Sequence, residues 1–303
     1  MFRCVLAVSF FALCACSPVD QCPAVSDASL QRAPSTLAET GLFEADAGVR
    51  AYKPRFELWS DGAAKRRWIR LPPGTQIDAS DADEWQFPVG TRFWKEFAFG
   101  GRKVETRYME RFDDGWLFVS YAWNDDETEA TQLAAGGKTS ASGTHVIPAA
   151  DQCFGCHGGR ASRVLGFSAI QLAQPQEGMS TRQLFDAGLI SPEPPSVQLP
   201  GDDTAQSGLG YLHANCSHCH NQTRPTAGQA RCWDPENELD FSLRVNALET
   251  VSGTAALKTI AQHERQILQK LGKTAVQGGM PPLAKDVVDS DGVARVKAFV
   301  DSL

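Results

Sequence analysis

Two short segments of the sequence place two thiols and an imidazole at the same fixed spacing. The Cys-x-x-Cys-His pattern is complete in both segments, which consist of Cys153, Cys156 and His157, and of Cys216, Cys219 and His220. The spacing lets two thiols reach the vinyl groups of one porphyrin while the adjacent imidazole reaches its iron. The motifs therefore predict two covalently attached haem c groups, with the two histidines as axial iron ligands. A zinc knuckle or a redox dithiol is the alternative, and the repetition of the whole motif disfavours it.

The elements around the second motif must supply a helix before it and a sixth iron ligand after it. Asp202 can begin a helix in which Gly208 and Cys216 share one face, and a glycine there lets another helix cross closely. Apolar residues at helical spacing in 292–303 predict that second helix. Between the two helices, Met280 lies in a Gly-Gly-Met-Pro-Pro loop and offers a thioether. Met280 is therefore the predicted sixth ligand.

The first motif has no such frame, because a glycine- and serine-rich loop at residues 136–143 precedes it. Its sixth ligand is not predicted uniquely. The candidates are the methionines and histidines that could approach it: Met179, His145, His213, His218 and Met109. His218 lies inside the second motif and is otherwise a spacer near the haem edge. An iron with an open sixth position is the remaining alternative.

Residues 202–303 resemble a class I cytochrome c domain, in which the attachment motif, the helix before it, the Met-Pro loop and a closing helix follow in this order. The whole chain also resembles a family of exported bacterial dihaem c-type lipoproteins with an N-terminal β-rich domain. That resemblance rests on Leu-Trp-Ser-Asp-Gly-Ala at 58–63, Phe-Pro-x-Gly-Thr at 87–91, and the two haem motifs preceded by Gln152 and Asn215. It implies an architecture and no substrate.

The N-terminus has the pattern of an export signal. Residues 1–15 contain one positive charge, Arg3, and an apolar run that ends in Leu-Cys-Ala before Cys16. This pattern predicts a lipoprotein signal peptide, cut so that Cys16 is lipidated, and an ordinary secretory signal is the alternative. Residues 16–40 are a predicted tether. We expect a lipid-anchored protein on the periplasmic side of the bacterial envelope, at the outer rather than the inner membrane. In that oxidising compartment Cys22 and Cys232 are a candidate disulfide.

Residues 41–148 are dense in aromatic side chains, and two tight-turn signals divide them. Gly100-Gly101 and Asp114-Gly115 predict three consecutive antiparallel strands, at 91–99, 103–111 and 116–123. Tryptophans at strand spacing favour the core of a small sheet over a ligand groove. The basic run at 65–67 is predicted to be a solvated strand edge rather than an anion site.

The chain is acidic, with a net charge of −7 over 303 residues, which argues against nucleic-acid binding. A predicted helix between Thr254 and Gly272 leaves His263 on its exposed side. This helix and the loop after it carry a cluster of cations, namely Lys258, Arg265, Lys270, Lys273 and Lys285. Beside an exposed haem edge, such a basic rim would steer an acidic redox partner protein, and a solvated helix face is the alternative interpretation.

The sequence thus predicts an α+β fold, with an N-terminal antiparallel β-rich domain followed by an α-helical c-type cytochrome region. The predicted parts are the β-rich domain at 41–148, a first haem segment at 149–200 and a cytochrome c domain at 201–303. The leading hypothesis is electron transfer by an exported dihaem cytochrome. One alternative is a haem enzyme, peroxidase-like or acting on another small substrate, in which the second haem feeds an open first haem. Another is a scaffold whose β domain binds a partner.

Overall fold

The structure is a computed structural model that describes residues 31–44, 48–133, 138–139, 145–174, 177–223, 238–282 and 285–303. Within these residues the fold is mixed α+β, with a six-stranded antiparallel sheet followed by six α-helices. No helix in the described ranges has both the length and the apolar character needed to cross a membrane. The predicted fold class is therefore confirmed at the level of an α+β protein.

The strands of the sheet are β1 Arg50–Ala51, β2 Ala64–Arg70, β4 Arg92–Phe99, β5 Arg102–Phe112, β6 Gly115–Trp123 and β7 Ala130–Gln132. They lie in the order β1-β2-β4-β5-β6-β7. The short strands β3 Ile77–Asp78 and β10 Ile190–Ser191 pair in parallel, and β8 Lys138–Thr139 pairs with β9 Val146–Ile147. The three predicted strands are confirmed as β4, β5 and β6. Gly100 and Gly101 both adopt positive φ, which is why a two-residue turn can join the first two of them.

The two faces of the sheet pack against different parts of the chain. On one face Trp94, Tyr108 and Tyr121 form a core with Leu37 and its neighbours in the N-terminal segment. On the other face, apolar side chains join a larger core that extends into the helices after the sheet and includes Ile69, Phe93, Met109, Phe118, Leu212 and Phe299. The aromatic residues of the strands are therefore mainly core, as the spacing predicted.

The helices follow the sheet along the chain. They are α1 Ala150–His157, α2 Ala169–Leu172, α3 Thr181–Asp186, α4 Asp203–Cys216, α5 Ala255–Leu271 and α6 Ser290–Asp301. Short 3-10 turns occur at Ala38–Thr40, Val245–Ala247, Val251–Gly253 and Ala275–Gln277. The predicted caps are confirmed, because the side chain of Asp202 accepts from the Ala205 N–H at the start of α4, and Thr254 does the same for Leu257 at the start of α5. Gly272 is the C-cap of α5.

Helices α4 and α6 cross where the sequence predicted a close approach. A Cβ atom on Gly208 would overlap the side chain of Phe299, which is fully buried. The absence of a side chain at Gly208 is therefore what allows the aromatic ring to lie against the α4 backbone.

We expect Gly208→Ala to lower the free energy of unfolding by about 1–3 kcal/mol, because one added methyl group forces the two helices apart. Denaturant titration followed by circular dichroism measures this change. Gly272→Ala is the matched control, since the nearest atoms to its added Cβ lie at 3.4 Å and beyond. Equal losses in the two variants would contradict a close helix crossing at Gly208.

The prediction of a solvated strand edge at 65–67 holds for Arg66 and is wrong for Arg67. Both residues lie in β2, which pairs with β4 along its length and with β1 only at Trp68 and Ile69. Successive side chains of a strand point to opposite faces. The side chain of Arg66 is accordingly 66% exposed, whereas that of Arg67 is only 4% exposed and faces the helices.

Candidate haem-binding sites

The first Cys-x-x-Cys-His motif forms most of the short helix α1, which packs against β6 of the sheet. The ring of His157 lies against Phe118, with ring centroids 4.7 Å apart. No amphipathic helix precedes this motif in the described residues, and the sheet takes over the supporting role. The first motif is thus held by the β-rich part of the chain.

His157 has the protonation pattern expected of an iron ligand. Its Nδ1 lies 2.7 Å from the carbonyl oxygen of Arg163, and because a carbonyl only accepts, Nδ1 carries the proton. Burial lowers the pKa of His157 to about 4, so its imidazole is neutral at neutral pH. A ligating histidine characteristically donates its other ring N–H to a carbonyl or carboxylate, and here Nε2 retains the lone pair.

A cleft beside this motif encloses about 1080 Å³, including its open mouth. Cys153, Cys156 and His157 line it on one side, and inward-facing residues of β4, β5 and β6 line it on another. Of the five candidate sixth ligands, only Met109 and His218 line this cleft.

The other three candidates lie elsewhere, and the structure does not support them. Met179 lines a separate cavity beside Arg50 and Leu184. His145 is buried with its Nε2 2.8 Å from a carboxylate oxygen of Glu105. His213 accepts a hydrogen bond from the Leu243 N–H at its Nδ1, so in the neutral ring Nε2 carries the proton and has no lone pair for iron.

The second motif begins at the last residue of α4 and continues into the following turn. It opens onto a mostly apolar cleft of about 770 Å³, again including the open mouth. Cys216, Cys219, His220 and Met280 all line this one cleft, so the structure brings the predicted attachment and axial residues together. His263 also lines it and is half-buried, which corrects the prediction that it is exposed.

Backbone hydrogen bonds hold the loop that carries Met280. The Met280 N–H donates to the carbonyl of Lys270 at 3.0 Å. The ammonium of Lys285 donates to the carbonyls of Met280 and Leu271, at 2.8 and 2.7 Å. Lys285 is only 2% exposed, so it is a clamp on this loop and not part of a basic rim. The predicted rim is thereby reduced to four cations.

The segment at 58–63, to which the sequence analysis assigns no function, connects the sheet to the second cleft. The backbone N–H of Trp59 donates to the side-chain oxygen of Asn215 at 2.7 Å, next to the first thiol of the motif. The carboxylate of Asp61 accepts from the N–H groups of Asp286 and Val287, at 2.8 and 2.9 Å. This segment thus fixes both the start of the second motif and the chain that leaves the Met280 loop.

The two motifs are in direct contact. The thiol of Cys219 donates to the carbonyl of Gly155 at 3.4 Å. His218 and Pro281 line both clefts. The two clefts are therefore neighbours that share part of one wall.

The residues present fit a haem in each cleft. Each cleft contains two cysteines at the attachment spacing, one adjacent histidine and a largely apolar lining. In the described part of the chain, no three His, Cys, Asp or Glu side chains are grouped so as to hold a metal ion by themselves. A haem iron needs only two protein ligands, because the porphyrin supplies the other four.

Three predicted modification sites lie outside the described residues. They are the lipidation site Cys16 and the two members of the candidate disulfide, Cys22 and Cys232. The signal peptide and most of the tether also fall there.

The lining of the first cleft includes residues that the sequence analysis did not select. Lys95 and Arg107 point into it from β4 and β5. The sequence signal that could have indicated Lys95 is its place at an inward-facing strand position, between the buried residues Phe93 and Phe97.

Comparison of the chain with protein-family models, with curated proteins and with solved structures found no match.

Proposed function

We propose that this protein is an exported dihaem c-type cytochrome that transfers electrons. The observation that carries the proposal is the pair of adjacent clefts, each lined by the cysteines and histidine of one complete motif. Their shared wall at His218 and Pro281 supports electron transfer between them, because neighbouring haems are separated by little protein. Lipidation at Cys16 would keep the protein at the periplasmic face of the envelope.

The residues around each cleft have separate roles in this proposal. When bound, haem supplies a one-electron Fe(III)/Fe(II) couple. His220 and Met280 would hold the second iron from residues fixed by backbone hydrogen bonds, so that little reorganisation accompanies a change of charge. A thioether ligand raises the potential by favouring the reduced ion. His157 would bind the first iron through Nε2, because the hydrogen bond from its Nδ1 to the carbonyl of Arg163 fixes the tautomer of the imidazole.

The proposal predicts two covalent haems in each chain. In a host with cytochrome c maturation, the intact mass of the mature protein should exceed that of the polypeptide by two haems. Replacing both cysteines of one motif with serine, Cys153 with Cys156 or Cys216 with Cys219, should remove one haem mass each time. A wild-type protein with one haem would show that one motif does not attach it, and a protein with none would exclude the proposed function.

A haem enzyme is the second candidate, and two cationic side chains in the lining of the first cleft favour it. Lys95 and Arg107 lie on the cleft wall, unlike the mostly apolar lining of the second cleft. An open iron should give a high-spin optical spectrum that responds to cyanide in the oxidised state and to carbon monoxide in the reduced state. Two low-spin haems that respond to neither ligand would favour the electron carrier.

We also propose an acidic redox partner, steered by the cations near the Met280 loop. Lys270 lines the second cleft and donates to the carbonyl of Gly278 at 2.8 Å, and Lys273 is exposed just beyond it. The rate of electron exchange with an acidic cytochrome or copper protein should fall as ionic strength rises. Lys270→Glu combined with Lys273→Glu should flatten that dependence, whereas Lys297→Glu on α6, which lines neither cleft, should not. A rate indifferent to salt would contradict steering.

A further inference from the structure

A row of cations crosses the inner face of the sheet beside the first cleft. Arg67 of β2 pairs in register with Lys95 of β4, which pairs in turn with Arg107 of β5. Residues paired across neighbouring strands project to the same face. That face is the one covered by the helices, and Lys95 and Arg107 line the cleft of the first motif.

The nearby carboxylates do not balance this row completely. Glu57 pairs with Arg67 at 3.0 Å and lies 4.0 Å from Lys65, and Glu105 pairs with Arg107 at 2.6 Å. Within the described ranges no carboxylate forms an ion pair with Lys95, and Nη1 of Arg67 is buried without a hydrogen-bond partner. The pKa of Lys95 is well below its ordinary value because of burial and of the neighbouring Arg67 and Arg107. Lys95 itself is half-buried, and its ammonium lies 4.9 Å from the centroid of the Phe97 ring, so its charge remains open to an anion on this wall.

An apolar row runs parallel to the cationic one. Ile69, Phe93, Met109 and Phe118 are aligned in register on the same four strands. The two rows are two residues apart, which is about 7 Å along a strand. The first cleft thus has an apolar wall with a strip of positive charge along one side. A haem has matching chemistry, since it is an apolar plate with two carboxylates on one edge.

We propose that Lys95, flanked by Arg67 and Arg107, binds a propionate of the first haem and thereby fixes the orientation of that haem. The inference rests on the proposed function, because it requires a haem at Cys153 and Cys156. A cation held at a propionate offsets negative charge near the iron and favours Fe(II). The sheet would therefore tune the potential of a haem attached to a helix outside it.

The test is the midpoint potential of the first haem in variants of Lys95. Lys95→Gln should lower this potential by about 59 mV, equivalent to a tenfold change in the ratio of oxidised to reduced iron. Lys95→Arg keeps the charge, so the midpoint potential of the first haem should change by less than about a third of that shift. Lys53→Gln is the matched control, because it removes one lysine outside the cleft that pairs with exposed Glu177. Lys95→Ala provides a second neutral variant if Lys95→Gln does not assemble.

Each outcome either supports or contradicts the role of Lys95. Intact mass first establishes how many haems are attached. A wild-type protein with no haem at Cys153 and Cys156 would overturn the proposed function and this inference together. With both haems attached, an unchanged potential in the neutral variants overturns the inference alone. A change of spin state in both Lys95→Gln and Lys95→Arg would make the lysine an iron ligand instead. A nitrite-induced spectral shift that the wild type shows and Lys95→Gln lacks would assign the row to a small anion.

Discussion

Replacing Met280 by alanine is expected to abolish the near-infrared charge-transfer band of an oxidised His/Met haem and to lower the potential of the second haem. The shift should be on the order of 0.1 V, within the ~0.8 V range over which axial ligands set haem potentials. The physical reason is the loss of the thioether, which favours Fe(II) and lies in the same cleft as His220. Near-infrared absorption and redox titration measure the two effects.

Met179→Ala is the control for that experiment, because Met179 lines a separate cavity beside Arg50 and Leu184. It should leave the band and both potentials unchanged. If Met179→Ala removed the band and Met280→Ala did not, the assignment of Met280 would be wrong. Retention of the band in both variants would point to a different sixth ligand.

Lys285→Met is expected to destabilise the protein and loosen the Met280 loop. The substitution keeps an unbranched side chain of similar length but leaves the carbonyls of Leu271 and Met280 buried without their donor. Each unsatisfied acceptor costs about 1–3 kcal/mol. We therefore expect the two acceptors together to cost about 2–6 kcal/mol in the free energy of unfolding and the near-infrared band to weaken.

The exposed Lys273 provides a matched control for this substitution. Lys273→Met should change the unfolding free energy by less than about 0.5 kcal/mol, as is usual for surface positions. Denaturant titration and the near-infrared band would be recorded for both variants. A Lys285→Met protein with wild-type stability and an intact band would show that the buried lysine is not a clamp.

The parts of the fold that the sequence predicted are encoded by neighbouring residues. Two glycines at 100–101 are sufficient to indicate a tight hairpin, and a threonine before an apolar stripe indicates the start of helix α5. The Gly208 contact was also predictable, because helical periodicity fixes which face a small residue occupies. The Cys-x-x-Cys-His spacing is a local signal of the same kind, and the haem attachment that it indicates stays a prediction.

Contacts between distant segments were not predictable in this way. Asp61 accepts from the backbone of Val287, 226 residues further along the chain, and nothing near either residue indicates the other. Lys285 looked like a member of a surface cluster because charge alone does not reveal two buried carbonyls within reach. Arg67 was assigned to an edge because the sequence did not show that the N–H of Tyr52 bonds to its carbonyl or that its side chain is buried.

The contacts made by the segment before the sheet affect any attempt to divide the chain. Phe56 lies where a side chain on Gly210 would be, and Asn215 bonds to the backbone at Glu57 and Trp59. A fragment cut at residue 201 would lose these partners and expose an apolar strip of helix α4 to water. Exposed strips of this kind promote aggregation. Residues 201–303 are thus half of an internal interface, and the excised C-terminal fragment would be less soluble and less ordered than the same residues in the whole chain.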